Sequence, residues 1–356
     1  MRNGEMKIDR RTALKGAGAL VGAVSAPLFL GRSAAAQEKV LYVNTWGGIL
    51  TTSEDEAFFK PFTKETGIQV KPVMPVSFAK LKAQVQTRNY EWDVSWGNPP
   101  ELFSADAEGL VEHVDWSIVQ RDASLPDKTL GDLAVALAEL TTNLAYRKDK
   151  FPNGGPKNWA DFWDVKKFPG TRAVYDRGFT MCAFALLADG VPREKLYPLD
   201  LDRAFKKLDE LKPHIKVFYT QGNQQQQLIK DGEIDMLPMW NARGTELIHQ
   251  GVPIEMLWEG AEHNTTYYYV AKGTPRAKLA WQFAEFCTRA DRLADFCERV
   301  TYGPANPKSF DYMKPQVGPE LPTWPANKAV GYMPDAAWLS PRLPALKERW
   351  EQWKSG

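Results

Sequence analysis

The stretch "LAVALAELTTNLAYRKDK", residues 133–150, decides the fold. It is apolar and β-compatible and holds no helix stop signal, so it reads as one extended run. Short strands alternate with amphipathic helices on both sides of it, the pattern of α/β layers with largely parallel sheets. On its N-terminal side "KVLYVNTW" is a strand. Ser53 is predicted to open a helix, with Glu56 completing a capping box and Gly67 closing it. "IQVKPVM" follows as a strand, Ser77 caps the helix "FAKLKAQVQTR", "WDVSWG" is a third strand, and Pro99 and Pro100 start a helix. On its C-terminal side Asn158 opens a Trp-rich helix. Then come the strand "TRAVYD", an alanine-rich helix ending at Gly190, the strand "IKVFY", the helix "NQQQQLIKDG" and the strand "IDMLPMWN". The run at 133–150 is therefore predicted to leave one α/β unit and enter another, with "TYYYVAKG" crossing back.

The chain has 356 residues, enough for two core-bearing units. A formal net charge of +1 gives no electrostatic footprint for nucleic acid or an acidic membrane surface. The 13 Trp, 12 Tyr and 17 Phe supply many flat amphipathic rings, useful in cores and in small-molecule clefts. Residues 1–36 read as an address. Arg10 and Arg11 precede the short apolar run "GAGALVGAVSAPLFLG", and the small residues "SAAAQ" follow, so a twin-arginine export signal cleaved near Ala36 is expected. The mature protein is then periplasmic. Cys182, Cys287 and Cys297 read as buried small hydrophobes, with a Cys287–Cys297 bridge left open.

No GxSxG elbow, HExxH, GxxxxGK[ST] or cysteine cluster occurs in the mature chain, and no two of His113, His214, His249 and His263 share a helix face. No enzyme, metal site or cofactor is expected. What remains are strand ends rich in Trp, Asn, Ser and Gly: "NTWGG" at Asn44–Gly48, "SWGN" at Ser95–Asn98 and "MWNAR" at Met239–Arg243. In open α/β sheets ligands sit beyond the carboxyl ends of strands, so Trp46, Trp96 and Trp240 are expected to line a cleft.

The motifs "LYVNTWGG", "FTKETGIQV", "EWDVSWGN", "GEIDMLPMWNARG" and "TYGPANPKS" give the chain its family likeness. It resembles an extracellular solute-binding protein of an ABC importer, and most of all the spermidine/putrescine-binding group. The resemblance implies a periplasmic-binding-protein fold of type II, two α/β lobes joined by a hinge of crossing strands. Lobe one would be 37–142 with 264–311, and lobe two 143–263 with 312–356. It also implies a monomer that traps a small organic solute and delivers it to membrane permease subunits. Polyamine-binding members hold their cation with carboxylates, and by local alignment those places fall here on Arg177, Thr180 and Thr266, with the aromatic kept as Trp240. An arginine at a helix N-terminus offers a planar fork and a favourable dipole to a carboxylate. An amino-acid-like or carboxylate-bearing ligand is therefore expected, with Arg177 or Arg243 as the anion clamp. Gly47, Ser95, Gln224 and Asn241 would supply hydrogen bonds. The alternatives are a polyamine, its amine held by Asp176 or Glu262, and ferric ion on the tyrosines Tyr267 to Tyr269. A local Asp176–Arg177 pair would make the arginine scaffolding.

Overall fold

The computed structural model describes residues 40–120 and 130–356; the export signal expected at 1–36 lies outside the described residues. The strands are β1 (Val40–Asn44), β2 (Gln69–Val73), β3 (Val94–Gly97), β4 (Val111–Glu112), β5 (Val135–Arg147), β6 (Arg172–Tyr175), β7 (Ile215–Tyr219), β8 (Met236–Trp240), β9 (Ile254–Ala271) and β10 (Gly303–Pro304). They form one sheet in the order β2-β1-β3-β9-β5-β8-β6-β7, with β4 on β9 and β10 on β5. The sheet is mixed, which corrects the reading of largely parallel sheets. β1 runs parallel to β2 and β3, and β6 parallel to β7 and β8. Between these two parallel sets lie β5 and β9, antiparallel to each other.

The reason is length. β5 pairs with β9 from Val135↔Tyr268 to Arg147↔Ile254, so both strands serve both halves of the molecule. The start of β5 and the end of β9 carry Val135, Leu137 and Tyr268 into one core, with Phe58, Phe62, Trp96 and Phe283. Their other parts carry Leu144 and Tyr146 into a second core, with Trp159, Phe162, Phe184 and Trp350. Strand alternation sends neighbours to the opposite faces, where two further clusters form around Tyr267 and Tyr269 and around Ala145, Leu237 and Met239. Each fully buried large apolar side chain contributes about 1.5–3 kcal/mol. These are two α/β lobes joined by crossing strands. The crossing pair is irregular midway, with a register shift between Thr142 and Leu144 that the Asn143 amide helps to fill by donating to Leu257 O at 2.9 Å.

Ser77 and Asn158 accept the capping hydrogen bonds expected of them, the helix expected at Pro99 is capped by Asn98, and Gly67 ends its helix at φ 72. One boundary moves. The helix assigned to Ser53 begins at Gly48, and Ser53 is buried inside it. Gly47, at φ 89, makes the turn directly after the strand, and its N–H donates to Thr51 Oγ1 at 3.0 Å, so the helix starts one turn earlier than its capping box suggests. The helices that escaped the sequence reading include Asn241–His249 and Ala290–Val300, and β9 begins at Ile254, well before "TYYYV". The chain ends in a helix, Leu343–Ser355, whose Leu346 and Trp350 pack on Gly178. A Cβ on Gly178 would lie 2.8 Å from Trp350 Cβ, so only glycine lets the C-terminal helix seat there.

Candidate ligand cleft

The helices that follow β1, β6, β7 and β8 begin at Gly48, Gly178, Gly222 and Asn241, and no side chain caps any of them. Apart from Gln224 N–H, which Asn223 Oδ1 accepts at 2.9 Å, no side chain among the described residues accepts from their first N–H groups, and the positive ends of their dipoles lie at the carboxyl ends of the strands.

Arg177 stands at the start of the helix Gly178–Ala188. Its guanidinium lies over the Phe179 ring at 4.2 Å and near the Tyr175 ring at 5.9 Å. Among the described residues it forms no ion pair. The neighbouring Asp176 is bound elsewhere: Lys354 Nζ reaches its two oxygens at 2.7 and 2.9 Å, and Trp350 Nε1 donates to it at 2.6 Å. The C-terminal helix has taken the carboxylate that adjacency in sequence offered to Arg177. Beside the guanidinium, Tyr175 stacks on Tyr219 at 5.5 Å and meets the half-buried Trp240 edge-on at 5.7 Å. The field of Arg177 reaches Glu101 in the other lobe. Loss of surrounding water raises the Glu101 pKa, while Arg177 and Asn98 pull it back.

Thr180, in the first turn of the same helix, donates to the buried Glu262 at 3.0 Å. Glu262 also accepts from Asn264 Nδ2 at 3.1 Å and from the Tyr332 hydroxyl at 3.0 Å. Thr180 therefore supports a buried carboxylate rather than facing open space. Thr266 donates to Ala138 O at 2.9 Å, across the crossing strands.

Three other expected site residues, Trp96, Ser95 and Asn241, are buried and bonded within the fold. Trp96 is a correction: strand alternation turns its ring into the core against Tyr268 and Phe296, and its Nε1 donates to Glu54 at 2.6 Å. Ser95 is buried too, donating to Asn44 Oδ1 at 2.9 Å. Asn241 is spent on structure: its carbonyl accepts Thr141 N–H at 3.0 Å and its amide donates to Thr301 O at 2.6 Å, tying β8 to the crossing strand. Gln224 is exposed and accepts Thr220 N–H at 3.2 Å. The neighbouring Gln225 is the buried one, accepting Trp240 N–H at 2.8 Å. Arg243 is half-exposed, 3.7 Å from Glu246 and 3.4 Å from Gln226. Trp46 does stand open, 51% exposed at the end of β1, beside Gly47. Of the eleven residues, Trp46, Gly47, Arg177 and Trp240 thus lie at strand ends with accessible surface.

Tyr267, Tyr268 and Tyr269 are all buried and alternate between two cores, which removes them from any shared iron site. Among the described residues no cluster of three or more His, Cys, Asp or Glu could hold a metal. All three cysteines are buried and free.

Residues 57–329 match the family described as bacterial extracellular solute-binding protein. The chain belongs to that family. It is 33% identical to the γ-aminobutyric acid-binding protein of Pseudomonas aeruginosa over 327 residues, covering 90% of this chain and 92% of that one. It is 21% identical to the spermidine/putrescine-binding periplasmic protein of Escherichia coli over 315 residues, covering 85% and 88%. A crystal structure of an ABC transporter substrate-binding protein from Bradyrhizobium japonicum superposes with a TM-score of 0.84 at 34% identity, covering 88% of this chain and 99% of that one. The protein is thus a substrate-binding protein of an ABC transporter, in a family whose members serve transport outside the cytoplasmic membrane rather than catalysis. Among the described residues no helix is long and apolar enough to cross a membrane.

Proposed function

We propose that this solute-binding protein captures a small amino acid with a carboxylate and an ammonium at its two ends, of the γ-aminobutyrate kind. The observation that carries this is Arg177, a guanidinium at an uncapped helix N-terminus with no ion pair among the described residues, set beside Tyr175, which meets Trp240 edge-on. An arginine fork in that setting suits a planar anion. The ammonium end would turn toward Glu101, which lies within reach of the Arg177 field from the first lobe. Asp176 and Glu262 are poorer receivers, since each is already occupied by donors. The name of the Pseudomonas aeruginosa relative points the same way.

The lobes are 37–142 with 264–311 and 143–263 with 312–356, and closure about β5 and β9 traps the ligand. Trp46, Gly47, Arg177 and Trp240 touch it, with Arg243 at the edge; Ser95, Trp96, Thr180, Asn241 and Thr266 hold the walls. The protein works as a monomer and hands the solute to the permease. It reaches the periplasm by the twin-arginine route with cleavage near Ala36, so changing Arg10 and Arg11 to lysine should leave the precursor in the cytoplasm.

Calorimetric titration with γ-aminobutyrate, a simple carboxylate and putrescine tests the ligand. The expected order places γ-aminobutyrate first. Tight putrescine binding with none of either carboxylate compound would overturn the reading.

A further inference from the structure

Glu54 ends the helix Gly48–Glu54, and its carboxyl is fully buried. Trp96 Nε1 donates to Oε1 at 2.6 Å, the Tyr268 hydroxyl bonds the same oxygen, and the Thr45 hydroxyl bonds Oε2. The elements packed around it bring two other titratable groups. These are the Tyr268 phenol on β9 and the Cys287 thiol on the helix Ala277–Thr288, both pushed up by burial and by the Glu54 charge. Among the described residues no cation pairs with Glu54. Burial lifts its pKa from 4.5 to about 7 against the pull of three hydrogen bonds.

Two hydroxyls lead from this carboxyl to the lip of the cleft. Thr45 Oγ1 lies 2.9 Å from Thr51 Oγ1. Thr51 Oγ1 in turn accepts Gly47 N–H at 3.0 Å and lies 3.8 Å from Met74 Sδ. Gly47 follows the exposed Trp46. Each hydroxyl has a single proton to give. With Glu54 ionised, Thr45 donates to the carboxylate and Thr51 donates inward to Thr45. When Oε2 takes a proton from water, Glu54 donates to Thr45, Thr45 donates to Thr51, and the Thr51 proton turns outward to Met74 Sδ, while Thr51 Oγ1 now accepts from both Thr45 and the Gly47 N–H of the lip. The helix is irregular at the same place: Asp55–Phe59 is a π-helical segment. Such segments are rare and concentrate at functional sites.

We propose that Glu54 is a positioning residue for ligand capture, its proton occupancy setting the direction of the Thr45–Thr51 hydroxyl chain and, through it, the Gly47–Trp46 lip. The functional half rests on the reading that this lip meets the ligand; the hydroxyl chain itself does not.

Nitrogen–proton NMR of the exported protein without ligand, from about pH 5.5 to about pH 8.5, tests the chain directly. The Trp96 indole N–H reports the carboxyl and the Gly47 amide reports the lip. Both should titrate together with a midpoint at about 7. Glu54→Gln should flatten both, and Thr51→Val should keep the Trp96 titration while abolishing that of Gly47. A Trp96 signal that does not move, or a Gly47 titration that survives Thr51→Val, overturns the proposal. For the functional half, γ-aminobutyrate affinity in the wild type should change about threefold or more between about pH 6 and about pH 8, and stay flat in Thr51→Val. Flat wild-type affinity overturns that half. Absence of γ-aminobutyrate binding at every pH would sink the ligand reading, and the NMR result would still decide the hydroxyl chain.

Discussion

Asp176 and Arg177 are adjacent in sequence and have opposite charges, yet Asp176 pairs with Lys354 at 2.7 Å and leaves Arg177 without an ion pair among the described residues. The separation follows from the C-terminal helix, which seats Trp350 against Gly178 and brings Lys354 to the carboxylate. Arg177→Ala should therefore weaken γ-aminobutyrate binding by 2–5 kcal/mol, about thirtyfold or more, because it truncates one partner of a hydrogen-bonded charge pair. Arg177→Lys should recover only part of this, since a point charge cannot reproduce a two-pronged contact. Without ligand the melting temperature should hold or rise, because a cation leaves a helix N-terminus. Calorimetry and thermal melts check both arms; early melting with unchanged affinity would make Arg177 scaffolding.

How much of this was legible depended on the range of the forces involved. Strand and helix succession is written locally, so Ser77 and Asn158 could be read as caps. The extended run at 133–150 stood out because period and composition agree over its whole length. The mixed order of the sheet was hidden, because it depends on β9 returning between β3 and β5, a pairing far apart in sequence. At the site, "SWGN" and "NTWGG" look alike, yet Trp96 is buried and Trp46 exposed. What separates them is position: Trp96 lies inside β3, where the pleat turns its ring inward and the buried Glu54 claims its indole, while Trp46 lies beyond the end of β1. The Asn in "MWN" likewise spends its amide on Thr141 and Thr301, a use no local signal announces.

Glu54 and Glu139 should give the stability curve two distinct pH windows. The folded-state pKa of Glu54 is raised from 4.5 to about 7, so its favourable contribution is present at low pH and is lost as pH rises through 7. The loss is on the order of 3 kcal/mol. Burial also pushes Glu139 upward, but the hydrogen bond from His263 and the Lys328 charge outweigh it, and its pKa is lowered. Its contribution is present above the ordinary carboxylate pKa and is lost as pH falls through the lowered value. Denaturant melts should show the Glu54 contribution falling from about pH 4.5 to about pH 7 and level above it, and Glu54→Gln should remove that slope while leaving the acid limb intact.

Asn241→Ala should destabilise the fold by about 1–3 kcal/mol, since it leaves the buried Thr141 N–H and the Thr301 carbonyl without partners. The chemical-denaturation midpoint measures it. Asn241→Asp should restore the bond from Thr141 N–H and lose the donation to Thr301, giving an intermediate midpoint. An unchanged midpoint in Asn241→Ala would mean that the tie between β8 and the crossing strand contributes nothing.

The last prediction concerns the seam between the C-terminal segment and the helix Pro99–Ala107. Ser340, next to a C-terminal segment whose Leu339, Leu346 and Trp350 lie in the core of the second lobe, donates to Pro100 O at 3.1 Å and lies 3.2 Å from Ser104 Oγ. Pro100 and Ser104 belong to the helix Pro99–Ala107 of the first lobe, which also carries Glu101. This contact joins the C-terminal segment to that helix through groups outside the β5–β9 ladder, so it should form on closure and break on opening. A hydrogen bond of this kind contributes about 1 kcal/mol net. Ser340→Ala should therefore weaken ligand binding about fivefold, mainly through faster release. The melting temperature without ligand should hold if the free protein is open, because the contact is then absent. Stopped-flow release and thermal melts separate the cases. A variant that releases ligand at the wild-type rate but melts early without it would show that the seam is permanent packing and that the lobes do not part there.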